Sequence, residues 1–177
     1  MQIISIASVI TVIWMILGYS IAFTPVQESV LGTNPIYGNF DRVWFIGMTV
    51  NSRHQLAPDV PESLFCLFNL AFAIITPCLI CGSFADRMAY VPMLLFIIIF
   101  HLLIYCPLAH SIWHPQGFLF KLGALDFAGG TIVHISSGMA GLMSSIVIGK
   151  RIRWGEERFQ PHSILTTFTG VCMLWIG

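Results

Sequence analysis

Five uncharged runs, each near the helical length that crosses a lipid bilayer, divide this sequence and limit what it can fold into. No Asp, Glu, Lys or Arg occurs at residues 1–27, 63–85, 88–120, 127–149 or 159–177. Spanning the hydrocarbon layer takes roughly 20 apolar residues in a helix, so the runs predict membrane spans at about 3–24, 62–84, 91–112, 127–149 and 163–177. The run at 88–120 exceeds one straight span. Pro107 and the stretch from His110 to Pro115 mark where its helix should leave the membrane. The expected fold is an all-α membrane protein, a polytopic transmembrane helical bundle.

Composition excludes the soluble alternatives. Charged residues are 9% of the 177 and hydrophobic ones 56%, against roughly 25% charged in soluble domains. Eight basic and eight acidic residues cancel, so nothing points to a nucleic-acid partner. Met1 opens onto apolar residues without a basic lead-in, which argues against a secretory signal. The other end stops inside an apolar run, and the chain reads as a fragment.

Orientation is read from the basic residues. Arg87, Lys150, Arg151, Arg153 and Arg158 fall in the loops after the second and fourth spans. Arg42, Arg53 and Lys121 fall in the opposite loops. Excess Lys and Arg marks the cytoplasmic side, which places loops 25–60 and 113–126 outside. Cys66, Cys78, Cys81, Cys106 and Cys172 lie within expected spans and act as small hydrophobes. The C-x-x-C spacing of Cys78 and Cys81 lacks further ligands for a metal.

The fourth span carries the most chemistry. Gly130, His134, Gly138, Gly141 and Ser145 form one helical stripe, and small residues there favour close helix approach. His134 should therefore point into the protein, where an ionisable group at membrane depth marks a pathway or a site. Asp126 lies at the outer end, suited to cap the helix. Phe68, Phe72 and Trp113 sit near the same mouth and could cage a small cation through their ring faces. A rival reading pairs Ser136 or Ser137 with His134 as an intramembrane serine hydrolase, without an evident oxyanion site.

The run from Asp126 to Leu142 with Gly149-Lys150-Arg151 resembles the signature of the ammonium transporter family (Amt, Mep and Rh proteins). The resemblance extends to Gly18 through Phe23, Phe68 through Arg87, Pro107 through Trp113, and Pro161-His162 into Phe168-Thr169-Gly170. It implies a bundle of two inverted halves, assembled as a homotrimer in a plasma or bacterial inner membrane, with one pore per subunit. Ammonium is captured by vestibule aromatics and deprotonated, and ammonia passes two Phe gates and two pore histidines. Trp113 and Phe68 match the vestibule, Phe72 the first gate, Asp126 the acidic residue beneath, and His134 the first pore histidine. No cofactor, metal or enzyme activity is implied, and a cytoplasmic regulatory protein is a further partner.

The family has one span before the first here and roughly twice as many helices, so this chain corresponds to its second to early sixth. The second gate and second pore histidine are not assignable, and neither His110 nor His162 qualifies. The chain alone is expected not to conduct. An ammonium sensor of the same family is the alternative. Pro77 should kink the second span below Phe72.

Overall fold

The computed structural model describes residues 2–26, 28–29, 32–33, 36–152, 154–156, 160 and 162–177. Arg153, Arg158 and Pro161 lie outside the described residues. Among the described residues, four helices are long and apolar enough to cross a membrane, and they coincide with the uncharged runs: Gln2–Phe23, Glu62–Ser83, Tyr90–Lys121 and Gly130–Ile148. We refer to them as the first to fourth spans. A fifth helix, Ile164–Ile176, has 13 residues and is shorter. Its N-cap is Ser163, whose hydroxyl accepts from the Thr166 N–H.

Apolar packing between the first three spans forms the core. Ile6, Ile10, Trp14, Ile80, Met93, Ile97 and Phe100 are all buried there. Three stretches widen from α to π geometry: Trp14–Gly18, His101–Tyr105 and Gly130–Ile135. The first two pack on each other at Gly18, where an added Cβ would lie 2.9 Å from both His101 Nε2 and Trp14 Cε3.

Pro107 does not end the third span. It occupies the first turn of the α segment Cys106–Trp113, immediately after a π turn. The helix runs on through it, and the widened π turn before it accommodates the missing N–H without a break. The helix stops instead at His114, whose backbone is extended, and resumes for one turn at Phe118–Lys121. Pro77 lies inside the single helix Glu62–Ile80.

The segment between the first two spans is not plain loop. It contains two antiparallel pairs, β1 (Glu28–Ser29) with β2 (Gly32–Thr33) and β3 (Arg53–His54) with β4 (Ala57–Pro61). An ion pair anchors this segment: Arg42 Nε lies 3.0 Å from Glu62 Oε1, to which Tyr19 also donates at 3.2 Å. Glu62 is buried at the start of the second span, so its charge requires those donors.

The loops after the second and fourth spans meet at one end of the bundle. Arg87 donates to the carbonyls of Ser83 and Gly149, and Arg151 pairs with Asp86 at 2.8 Å. The basic residues Arg87, Lys150 and Arg151 thus share one end, as the alternating topology requires.

Candidate substrate path

The aromatic mouth is assembled from three spans. Phe65, Phe68, Asn69 and Phe72 repeat at three- and four-residue steps, which puts them on one face of the second span. Phe68 and Phe72 meet edge to face at 5.0 Å between centroids, and Phe72 meets Trp113 the same way at 5.6 Å. Phe23, the last residue of the first span, stacks on Trp113 at 6.4 Å and meets Phe65 at 5.1 Å. These rings line an open cleft of about 180 Å³ to which Leu56, Asn69 and the exposed Phe127 also contribute. A water molecule occupies roughly 30 Å³ of liquid volume, so the cavity has room for a small cation with a few waters.

Among the described residues, no ionised side chain lines this cavity. A cation there would meet ring faces and the Asn69 carboxamide, whose Nδ2 donates to the Phe65 carbonyl at 2.9 Å. Sequence reasoning missed Phe23, Phe65, Asn69 and Phe127. Asn69 carried a signal, since it is the one carboxamide in the uncharged run 63–85.

Asp126 faces the helix, as its capping role requires. Oδ1 accepts from the N–H groups of Gly129 and Gly130 at 2.7 and 2.8 Å, and Oδ2 from those of Thr131 and Ile132 at 2.8 and 3.0 Å. All four orphan donors of the helix start are thereby satisfied. Burial alone would raise the carboxyl pKa, but the four N–H donors outweigh it and hold the group below the usual carboxylate value. The carbonyl of the same residue accepts from Trp113 Nε1 at 2.8 Å. Gly129 makes this turn possible. Its φ is +81°, and an added Cβ would lie 2.7 Å from Val133 Cγ2.

His134 lies in the π turn Gly130–Ile135, a geometry that recurs at functional positions. Its Nδ1 is 3.3 Å from the Gly129 carbonyl, which also accepts from the Val133 and His134 N–H groups. The expectation that this chain encloses the imidazole is not met: His134 is exposed. The small-residue stripe explains why. Gly141 packs toward Ser83, where an added Cβ would lie 3.8 Å from the Ser83 Cβ, whereas a Cβ added at Gly138 would meet nothing within 4 Å. The lower half of the stripe meets the second span; the half carrying His134 faces away from the chain's other helices.

The serines do not engage the imidazole. Ser136 donates to the carbonyls of Ile132 and Val133, and Ser137 to that of His134 at 3.3 Å. These are helix-internal bonds. His110 and His114 stack at 4.5 Å near the outer end of the third span, both buried, with His110 Nδ1 3.1 Å from the Ala22 carbonyl and His114 Nε2 2.9 Å from Gln55 Nε2.

Four membrane-length apolar helices, an aromatic mouth and a histidine set in a widened membrane helix define a polytopic helical membrane protein. The chain belongs to the Ammonium Transporter Family, whose profile matches residues 1–177. It is 38% identical over 170 residues to an ammonium transporter of Bacillus subtilis, covering 96% of this chain and 39% of the relative. It is 40% identical over 164 residues to ammonium transporter 1 of Schizosaccharomyces pombe, covering 93% of this chain and 32% of that one. The fold is similar to the crystal structure of Saccharomyces cerevisiae Mep2, with a TM-score of 0.83 at 31% identity, over 97% of this chain and 37% of that structure. Candida albicans Mep2 gives 0.82 at 32% identity. The chain therefore spans about a third to two fifths of the length of these relatives.

Proposed function

We propose that this chain forms part of the ammonia path of an ammonium transporter. The observation that supports this reading is the convergence of Phe68, Phe72 and Trp113 on one 180 Å³ cavity, beside the helix that carries His134. Ammonium is held there by ring quadrupoles, with the Asn69 carboxamide oxygen as an additional acceptor. Asp126 acts as a positioning residue that holds Trp113 and the start of the fourth span, while its negative charge favours a cation nearby.

Beyond the rings the path must discriminate ammonium from potassium, which carries the same charge at similar size. A dry apolar passage does so, because an ion pays a large desolvation cost there and neutral ammonia pays little. Phe72 serves as the first gate and His134 as the first pore histidine, its imidazole able to exchange a proton with the passing base. The exposed side of His134 is where a second, inverted half of the family fold would complete the pore, so the 177-residue chain alone does not conduct. The transporter acts as a homotrimer in the cell membrane, the basic end of the bundle faces the cytoplasm and meets a regulatory protein, and no enzyme chemistry is involved.

The test is methylammonium uptake in cells lacking their own ammonium transporters. The 177-residue chain should give background uptake, and the polypeptide completed to family length should give saturable uptake that Phe72→Ala and His134→Ala alter. Uptake by the short chain would sink the claim that it is incomplete. A completed chain that inserts, gives no uptake and still switches a nitrogen response would sink transport in favour of sensing.

A further inference from the structure

One imidazole stands behind three of the residues that line the aromatic cleft. His54, in β3, lies flat on the Phe65 ring at 4.4 Å between centroids and edge-on to Phe23 at 5.9 Å. Its Nε2 donates to the Phe23 carbonyl at 2.9 Å, and its Nδ1 accepts from the Leu56 N–H at 3.2 Å. Phe23 closes the first span, Leu56 lies in the β3–β4 turn and Phe65 belongs to the second span. All three line the cleft, and the buried His54 does not. One side chain thus joins three elements of the cleft from behind its rings.

Making both bonds at once requires a neutral ring with its proton on Nε2. A proton added at Nδ1 would turn that acceptor into a donor facing the Leu56 N–H, and the bond would be lost. The imidazolium would also set a positive charge behind the Phe65 ring, opposing any cation held on the other side. The ionisable groups around His54 are Tyr19, Asp41, Arg42 and Glu62, with Arg53 on its own strand and His114 at the end of the third span. Burial is the largest cause that pushes its pKa below the ordinary value; the Phe23 carbonyl and Glu62 act the other way, and Arg42 adds to the lowering. We propose that His54 is a positioning residue for cation capture: the neutral ring holds Phe23, Leu56 and Phe65 in place, and the imidazolium releases Leu56 and disfavours the cation. The inference rests on the cleft taking ammonium, and adds a proton that competes without entering it.

The experiment titrates methylammonium chloride, against sodium chloride at equal ionic strength, into the polypeptide completed to family length in neutral detergent. Tryptophan fluorescence reports binding, and Trp113→Phe should remove the signal because that indole lines the cleft. Methylammonium stays protonated throughout, as an alkylammonium does. The half-saturating concentration should rise about threefold as pH falls from about 7.5 to about 4.5. His54→Gln keeps a donor and an acceptor but cannot titrate, and should remove most of that rise. His54→Leu lacks the donor to Phe23 and should bind several-fold more weakly than His54→Gln at the higher pH. Equal affinity of the two variants there would overturn the positioning role. A parent affinity unmoved by acid, or a rise that survives in His54→Gln, would overturn the role of the proton. Binding without methylammonium uptake in cells would sink transport and leave this inference standing, whereas no saturable binding by the parent would sink the cation cleft and the inference with it.

Discussion

The indole N–H of Trp113 donates to the backbone carbonyl of Asp126 at 2.8 Å, which ties the end of the third span to the cap of the fourth. The ring that lines the aromatic cleft and the turn that leads to His134 thus move together. Trp113→Phe keeps a ring of similar placement and removes the donor. It should cost about 1 kcal/mol of stability, read as a lowered melting temperature in detergent. An unchanged melting temperature would show that the bond does not hold the two spans together.

Asp126→Ala leaves four helix N–H groups without their acceptor. A lost cap costs about 1–2 kcal/mol, and Asp126→Asn should recover part of it because the carboxamide oxygen still accepts. The sign of the pH effect follows from a carboxyl pKa that is lower in the folded protein. Its stabilisation is present above the usual carboxylate range and fades as pH falls through it. Melting curves of the parent chain and Asp126→Ala should therefore converge on acidification below pH about 4.

His54 gives a second, separable pH response. Its Nε2 donates to the Phe23 carbonyl at 2.9 Å and its Nδ1 accepts from the Leu56 N–H at 3.2 Å, so the ring is neutral. Burial is the main cause that pushes its pKa below the ordinary value of 6.5. The unfolded chain then takes up a proton at a higher pH than the folded one does. Stability contributed by His54 is present above pH 6.5 and is lost as pH falls below it. His54→Gln should flatten the melting temperature between pH about 7 and 5; an unaltered slope would place the titration elsewhere.

Gly18 is the contact between two π turns. Gly18→Ala would bring a methyl within 2.9 Å of the buried His101 and Trp14 rings. Overpacking of this kind costs about 1–3 kcal/mol. Gly138→Ala, inside a helix where nothing lies within 4 Å, should stabilise the same chain by about 0.5–1 kcal/mol and serves as the paired control in a thermal-shift measurement.

What the sequence disclosed depended on whether one segment alone carried the signal. The spans are written in the spacing between charges, because an ion in hydrocarbon is costly at any point along the helix. The Asp126 cap was legible for the same reason: donors and acceptor lie within six residues of each other. The third span misled, since Pro107 reads as a breaker unless the preceding π turn is known, and nothing in residues 101–105 announces one. The pairs β1–β2 and β3–β4 have too little alternation to be read from two- to five-residue strands. The stripe of small residues around His134 implies neighbours, and hence an enclosed interior. The stripe is divided: Gly141 has its neighbour in Ser83, and His134 is exposed, facing away from the other described helices.

The π turn at Gly130–Ile135 also sets the angular phase of the fourth helix. One residue in an α-helix turns the face by about 100° while adding only about 1.5 Å of length. Removing a single residue there would let the segment relax to α geometry with its ends almost where they were. The segment after it would keep its face, so Gly141 would still meet Ser83, while the side chains inside the turn, His134 among them, would shift against the cap by about one residue's rotation. The widened turn acts as an offset between two halves of one helix, one aligned to the second span and the other to the open side.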